Sequence, residues 1–183
     1  MGMVAAPVYW TAELVRALPE DGKRYEVVYG ELFVTPAPRA WHQEVLCRLL
    51  DVVRTYTKRE GVGHLFVSPA DISWGEDTLV QPDLFVVPLE DARTMDWRVM
   101  QRLLLAVEVL SPSSARADRF AKRRLYQEVG VGTYWVVDAD QRAVEVWTPK
   151  AAFPIVERER VEWTPAGARE PLVVQLPDLF RPL

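Results

Sequence analysis

The chain has 183 residues, of which 49% are apolar and 26% charged, and its formal net charge is −4. Such a length suits one domain of about 100–200 residues spanning 1–183, and the balance is neither that of a disordered nor of a fibrous chain. The negative charge excludes a protein that coats nucleic acid through an overall positive field, so any contact with nucleic acid has to be local.

No uncharged apolar stretch approaches the roughly 20 residues of a membrane helix; 103–107 (LLLAV) and 129–137 (VGVGTYWVV) are among the longest, so no membrane partner is expected. The start, MGMVAAPVYWTAELVRALPE, lacks the basic then apolar order of a secretion signal, and a cytoplasmic location is expected. A lone Cys47 can form neither an internal disulfide nor a cysteine-based metal site. Its neighbours Val45, Leu46, Leu49 and Leu50 suggest a buried filler.

A short helix is predicted around Thr11–Ala17, followed by a hairpin over Tyr25–Thr35 that turns at Gly30-Glu31 and is closed by Pro36 and Pro38. From Trp41 to Arg59 apolar residues recur at three- and four-residue intervals, which predicts an amphipathic helix stopped by Gly61 and Gly63. Strands are predicted over His64–Trp74, Thr78–Val87 and Arg102–Leu110. The last, RLLLAVEVL, is a nearly continuous apolar run suited to a central strand covered on both faces. Ser111–Ser114 supplies a turn and cap for a helix over Ala115–Val129. A second hairpin, Thr133–Asp138 with Arg142–Thr148, and strands near Ile155–Val161 and Leu172–Leu176 complete the chain. The order predicts an α/β fold, a mixed, curved sheet flanked by helices with extra strands at both ends, which are candidate edges for a homodimer.

Two carboxylates stand in these apolar strands, Asp83 in TLVQPDLFVV and Glu108 in LLLAVEVL. A buried carboxylate costs several kcal/mol unless paired, hydrogen-bonded or bound to metal, so each demands a partner. A structural Arg or Lys would satisfy one acid alone. Two acids on neighbouring strands would suit a hard cation such as Mg²⁺ or Mn²⁺, which uses one or two carboxylates plus water and phosphate.

The stretches GKRYEVVYGELFVTPAPRAWHQEV, VQPDLFVV and LLLAVEVLSPSSARADRFAKRRLYQEVGVGTYWVVD together resemble the Uma-two family of PD-(D/E)XK, restriction-endonuclease-like proteins, over about residues 22–140. Pro82-Asp83 is similar to the family's first half-motif, and Glu108 to the acid of the second. The resemblance implies a restriction-endonuclease-like fold with a Mg²⁺-dependent site at Asp83 and Glu108. Leu110 stands where the superfamily pattern has lysine. Lys122, on the following helix, is the candidate substitute, because helical side chains tilt back toward the N-terminus and because a compact ammonium can shift its pKa to assist a water nucleophile. A solvated lysine beside Arg119, Arg123 and Arg124 is the alternative, and Asp118, Lys122 and Tyr126 also stand at the spacing of an ordinary helix-surface set. If Lys122 belongs to the site, Lys122→Ala is expected to abolish most cleavage while leaving stability nearly unchanged.

Supporting candidates are Gln81, which shares a strand face with Asp83, Tyr126, and, at the start of the long helix, His42 and Glu44. The resemblance places these last two in matched positions and implies for Glu44 the part of a third acid. His42 is expected to be a capping or hydrogen-bonding residue rather than a ligand. Glu26, Glu31 and Asp71 match family-like positions without an assigned role. The basic run Arg116, Arg119, Lys122, Arg123, Arg124 could contact phosphate or form a wet helix face. The expected function is a Mg²⁺-dependent endonuclease acting on nucleic acid, DNA in the first place. The alternative is a catalytically silent nuclease-like module that binds nucleic acid or a protein partner.

Overall fold

In the computed structural model, which describes residues 8–183, the Thr11 hydroxyl accepts a hydrogen bond from Leu14 N–H and opens α1 (Ala12–Arg16). Residues 1–7, the beginning of the segment searched above for a secretion signal, lie outside the described residues. Strands β1 (Arg24–Val28) and β2 (Glu31–Thr35) form the expected hairpin, and its turn places Tyr29 and Gly30 at φ 53° and 77°. The long helix α2 (Ala40–Glu60) ends where Gly61, at φ 68°, donates its N–H to Thr57.

Four strands follow: β3 (His64–Val67), β4 (Ile72–Gly75), β5 (Thr78–Val80) and β6 (Leu84–Val87). After the short α3 (Leu89–Ala92) comes β7 (Leu105–Val109), and then a π-helical turn, Ala117–Lys122, that runs into α4 (Arg123–Glu128). Strands β8 (Tyr134–Asp138), β9 (Ala143–Trp147), β10 (Ile155–Glu157), β11 (Arg160–Trp163) and β12 (Leu172–Gln175) and the terminal turn of helix α5 (Leu176–Leu179) complete the order.

Six strands form the central sheet in the order β10-β9-β8-β7-β6-β3, antiparallel throughout except for the parallel pair β7–β8, which is joined across the π turn and α4. A four-stranded sheet, β2-β1-β5-β4, and the hairpin β11–β12 flank it. The two-residue period sorts β7 cleanly. Leu105, Val107 and Val109 pack with Leu84 and Val86 under Val45, Leu49, Val53 and Tyr56 of α2. Ala106 faces the other way with Phe85 and Val87, toward Leu125 and Tyr126 of α4. Glu108 shares the period of Ala106, and Asp83 that of Phe85, so both acids fall on the α4 side.

Three expected strands are shorter or divided. Thr78–Val87 is two strands in two different sheets, because Pro82 has no N–H for a ladder and the chain changes sheet across Gln81–Asp83. His64–Trp74 likewise divides into β3 and β4, with Pro69 between them. Ile155–Val161 divides into β10, which extends the central sheet, and β11, which leaves it to pair with β12. Cys47 is exposed, a correction to its expected burial, because it falls on the outer side of α2 between the buried stripe positions Leu46 and Leu49. No helix among the described residues is long and apolar enough to cross a membrane.

Leu49 is fully buried where α2 meets the central sheet. Leu49→Ala is expected to lower stability by about 2–5 kcal/mol, read as a shifted urea midpoint with an unchanged m-value.

Candidate active site

The register Leu84↔Val107 carried one step further sets Asp83 beside Glu108 on adjacent antiparallel strands. Val109 N–H donates to Asp83 Oδ2 at 2.8 Å, fixing the first carboxylate to the strand that carries the second. Both acids are 1% exposed. Arg24, at the start of β1, donates through Nη2 to Asp83 Oδ1 at 2.7 Å and through Nη1 to the Gln81 carbonyl at 3.0 Å. Its Nη1 also stands 3.9 Å from Glu108 Oε2.

Lys122 reaches the same group from the helix side. It is 1% exposed, donates to Glu108 Oε1 at 3.0 Å, and makes ion contacts with Glu26 Oε2 at 2.9 Å and Asp118 Oδ1 at 3.1 Å. Tyr126 O–H also donates to Glu108 Oε1, at 3.2 Å. The π turn gives this reach. By widening one turn, it lets Asp118, Lys122 and Tyr126 all face inward, and all three are buried. Arg119, Arg123 and Arg124 point elsewhere: Arg119 to Asp138 and Glu145, Arg123 to Gln127 and over the Trp147 ring, Arg124 to Glu128. Most of the basic run is thus an ordinary paired helix face.

Glu26, Asp83, Glu108 and Asp118 therefore share one lysine and one arginine, which leaves the cluster two positive charges short. Burial pushes the Glu108 carboxyl well above the usual carboxylate range; Lys122 opposes this, and Asp118, Asp83 and Glu26 reinforce it. Burial pushes Asp118 up as well, against the same Lys122. Burial alone would lower the Lys122 pKa, but Asp118, Glu108 and Glu26 outweigh it and raise it well above the ordinary value. The shift favours the charged form of Lys122, an ammonium held among carboxylates.

The cluster opens into a cleft of about 260 Å³ lined by Arg24, Asp83, Glu108 and Lys122, by 35–39 and by 111–114. His42 lines it too, with Nε2 3.5 Å from Asp83 Oδ2 and no hydrogen-bond partner for either ring nitrogen, so it caps nothing here. Burial lowers its pKa despite the attraction of Asp83. Two supporting candidates lie apart. Glu44 pairs with Arg48 at 2.7 Å, one helical turn along, and is not a third acid of the cluster. The Gln81 side chain donates to Asp71, and only its backbone serves the site, through the carbonyl to Arg24 and the N–H to Glu26 Oε1 at 2.7 Å.

Sequence reasoning missed Arg24 and left Glu26 without a role, although Arg24, Glu26 and Val28 share one face of β1 and Val28 is core. An acid in step with core residues was the available signal. Asp118 was visible only as a surface partner of Lys122.

The donor set is of the oxygen type a hard cation takes: Asp83 and Glu108 both line the cleft, and Arg24 stands against Asp83 Oδ1 and Glu108 Oε2. Among the described residues no group of three or more His, Cys, Asp or Glu side chains is placed to hold a metal ion, so the candidate donors are the Asp83–Glu108 pair.

The family model Uma2, described as "Putative restriction endonuclease", matches residues 12–180. The chain belongs to the Uma2 family. A crystal structure described as a putative nuclease belonging to DUF820, from Anabaena variabilis, is similar with a TM-score of 0.77 at 20% sequence identity, covering 93% of this chain and 97% of that one. No curated protein matches this Uma2 chain. The fold is the restriction-endonuclease-like mixed α/β arrangement, with the acidic cluster where the two larger sheets meet.

Because Lys122 is buried among three acids, it is not the dispensable surface lysine expected above. Lys122→Ala is expected to destabilise this Uma2 chain by about 3–5 kcal/mol in urea, since it leaves buried carboxylates uncompensated; a loss below about 0.5 kcal/mol would mean that the ammonium is solvated. A pH signature follows from Glu108. A carboxyl whose folded pKa is raised binds its proton more tightly in the folded chain, so its contribution is full below the ordinary value of 4.5 and is lost as pH rises through the folded value. With chelator present, wild type is expected to lose stability relative to Glu108→Gln as pH rises above about 5. The opposite contribution of His42, whose pKa is lowered, is common to both chains and cancels in the difference.

Proposed function

We propose that this protein is a divalent-cation-dependent phosphodiesterase that cleaves nucleic acid, with DNA as its first substrate and Mg²⁺ or Mn²⁺ as its ion. The reading rests on four buried carboxylates gathered at a cleft with two protein cations, a set that, with all four acids ionised, is short by the charge of one divalent ion. Asp83 and Glu108 would hold the ion. Bound there, it would make a water molecule acidic enough to attack a phosphodiester at neutral pH and would neutralise the charge that develops on the phosphate.

The chain's own residues have separable tasks. Val109 N–H fixes the Asp83 carboxylate, while Lys122 and Tyr126 fix Glu108 through the same oxygen, Oε1, leaving Oε2 toward Arg24 and the cleft. With its raised pKa Lys122 serves as a positive charge beside the reacting phosphate and as an orienter of Glu108, not as the base. The Ser111–Ser114 turn and Arg39 form the wall that a phosphate must pass. The acids are deeply buried, so the sugar-phosphate chain has to enter the cleft rather than lie across it.

Membership in a family described as "Putative restriction endonuclease" supports the same reaction class. Cleavage of plasmid and single-stranded DNA with Mg²⁺ and Mn²⁺ tests it. Asp83→Asn and Glu108→Gln are each expected to lose about 100- to 1000-fold or more in rate, the scale of removing one electrostatic stabiliser, while their circular dichroism stays that of wild type. DNA binding without hydrolysis in either ion would instead make the chain a nuclease-like binding module.

A further inference from the structure

The place that the proposed ion would occupy is contested by Arg24. Its guanidinium bridges Asp83 Oδ1, at 2.7 Å, and Glu108 Oε2, at 3.9 Å, the two carboxylate oxygens that no other side chain holds. The two protein cations of the cluster differ in freedom. Lys122 is enclosed, with 2% of its side chain exposed and three carboxylates around one ammonium. Arg24 has 19% of its side chain exposed, lines the cleft, and among the described residues is tied elsewhere only to the Gln81 carbonyl. One cation is built in and the other stands at the door.

A divalent ion cannot share Asp83 and Glu108 with a guanidinium at hydrogen-bond distance, because the two like charges would then sit within a few ångströms in a poorly solvated site. Arg24 is the member with a route out. It lines the same cleft as the Ser111–Ser114 turn, the space that a phosphate would enter. Guanidinium matches phosphate and carboxylate with the same two-pronged donor geometry, so the group released by the acids is suited to the incoming substrate.

We propose that Arg24 is an internal placeholder: without metal its guanidinium holds the Asp83–Glu108 pair, and when a divalent ion takes that pair it is released to bind the substrate phosphate. The proposal rests on the metal-dependent reading above. It makes Arg24 a competitor of the metal and a partner of the phosphate, so one substitution must move two affinities in opposite directions. A residue that only supports the fold would weaken both.

The test uses the full chain and Arg24→Gln, with Arg24→Lys as a second variant that keeps the charge should the first fold poorly. Mn²⁺ affinity is measured by calorimetry without nucleic acid. A single-stranded decadeoxynucleotide is titrated by fluorescence anisotropy in Ca²⁺, so that neither readout depends on turnover. Arg24→Gln is expected to bind Mn²⁺ at least ten-fold more tightly than wild type and the oligonucleotide at least ten-fold more weakly. Arg24→Lys, with a single point of attachment, is expected to shift both in the same directions by smaller factors. Mn²⁺ affinity unchanged or weakened in both variants overturns the placeholder role, and oligonucleotide affinity unchanged in both overturns the phosphate role. Mn²⁺ binding that is lost in Asp83→Asn yet unchanged in Arg24→Gln and Arg24→Lys overturns the placeholder while keeping the metal reading. Absence of Mn²⁺ binding from wild type and both variants sinks the metal reading itself, and the placeholder with it.

Discussion

Four carboxylates cannot be gathered in a protein interior unless positive charge is gathered with them, and the region around Glu108 is organised by that requirement. Lys122 meets three of the acids at once. The charges around it come from three separate parts of the chain: Glu26 from β1, Glu108 from β7, and Asp118 from the π turn. Their common ammonium ties the four-stranded sheet, the central sheet and the crossover helix to one point. Separate surface ion pairs would contribute little to such an arrangement; here burial makes each member costly to remove. With all four ionised the pairing is incomplete by two charges, and burial together with the neighbouring acids accordingly raises the pKa of Glu108 and of Asp118.

The position of the cluster follows from a break in the chain. Between Val80 and Leu84 the backbone leaves one sheet and joins another, and within that crossing Gln81 offers both backbone groups to side chains of β1: its N–H to Glu26 and its carbonyl to Arg24. Pro82 has no N–H to leave unsatisfied there. Asp83 then arrives immediately before β6, beside Glu108 and at the cleft. The arrangement holds rigid strands on one side of the carboxylates and a turn of four residues, Ser111–Ser114, on the other.

The lysine and the arginine illustrate why the two side chains are not interchangeable at such a site. A compact ammonium fits at the centre of three carboxylates, where a planar fork would leave some of them unmet. Arg24 binds from outside with directed donors and reaches the cleft. Leu110, at the strand position where the superfamily pattern has lysine, packs against apolar neighbours on the α4 side, and the positive charge is supplied to Glu108 from the helix instead.

Much of the architecture was legible in the chain because periodicity reports burial. The amphipathic stripe of α2 and the apolar run of β7 each appear where the spacing places them, and the two acids set in apolar strands did mark the cluster. Residue spacing could not show that Thr78–Val87 divides between two sheets, since Val80 and Leu84 are equally buried and only the pairing partners differ. Nor could it show that Lys122 is enclosed, because at four-residue spacing Asp118 and Lys122 look the same on a wet helix face as on a buried one until a π turn and a sheet are set against them. Glu44 was placed in the site by its position near the start of α2, and the helix phase that turned it to Arg48 was settled by packing. The sequence by itself determined which residues must be buried and that two of them carry charge. Which charges meet, and Arg24's place between Asp83 and the cleft, were decided by the tertiary structure, because a charge pair depends on distances across strands that are remote in sequence.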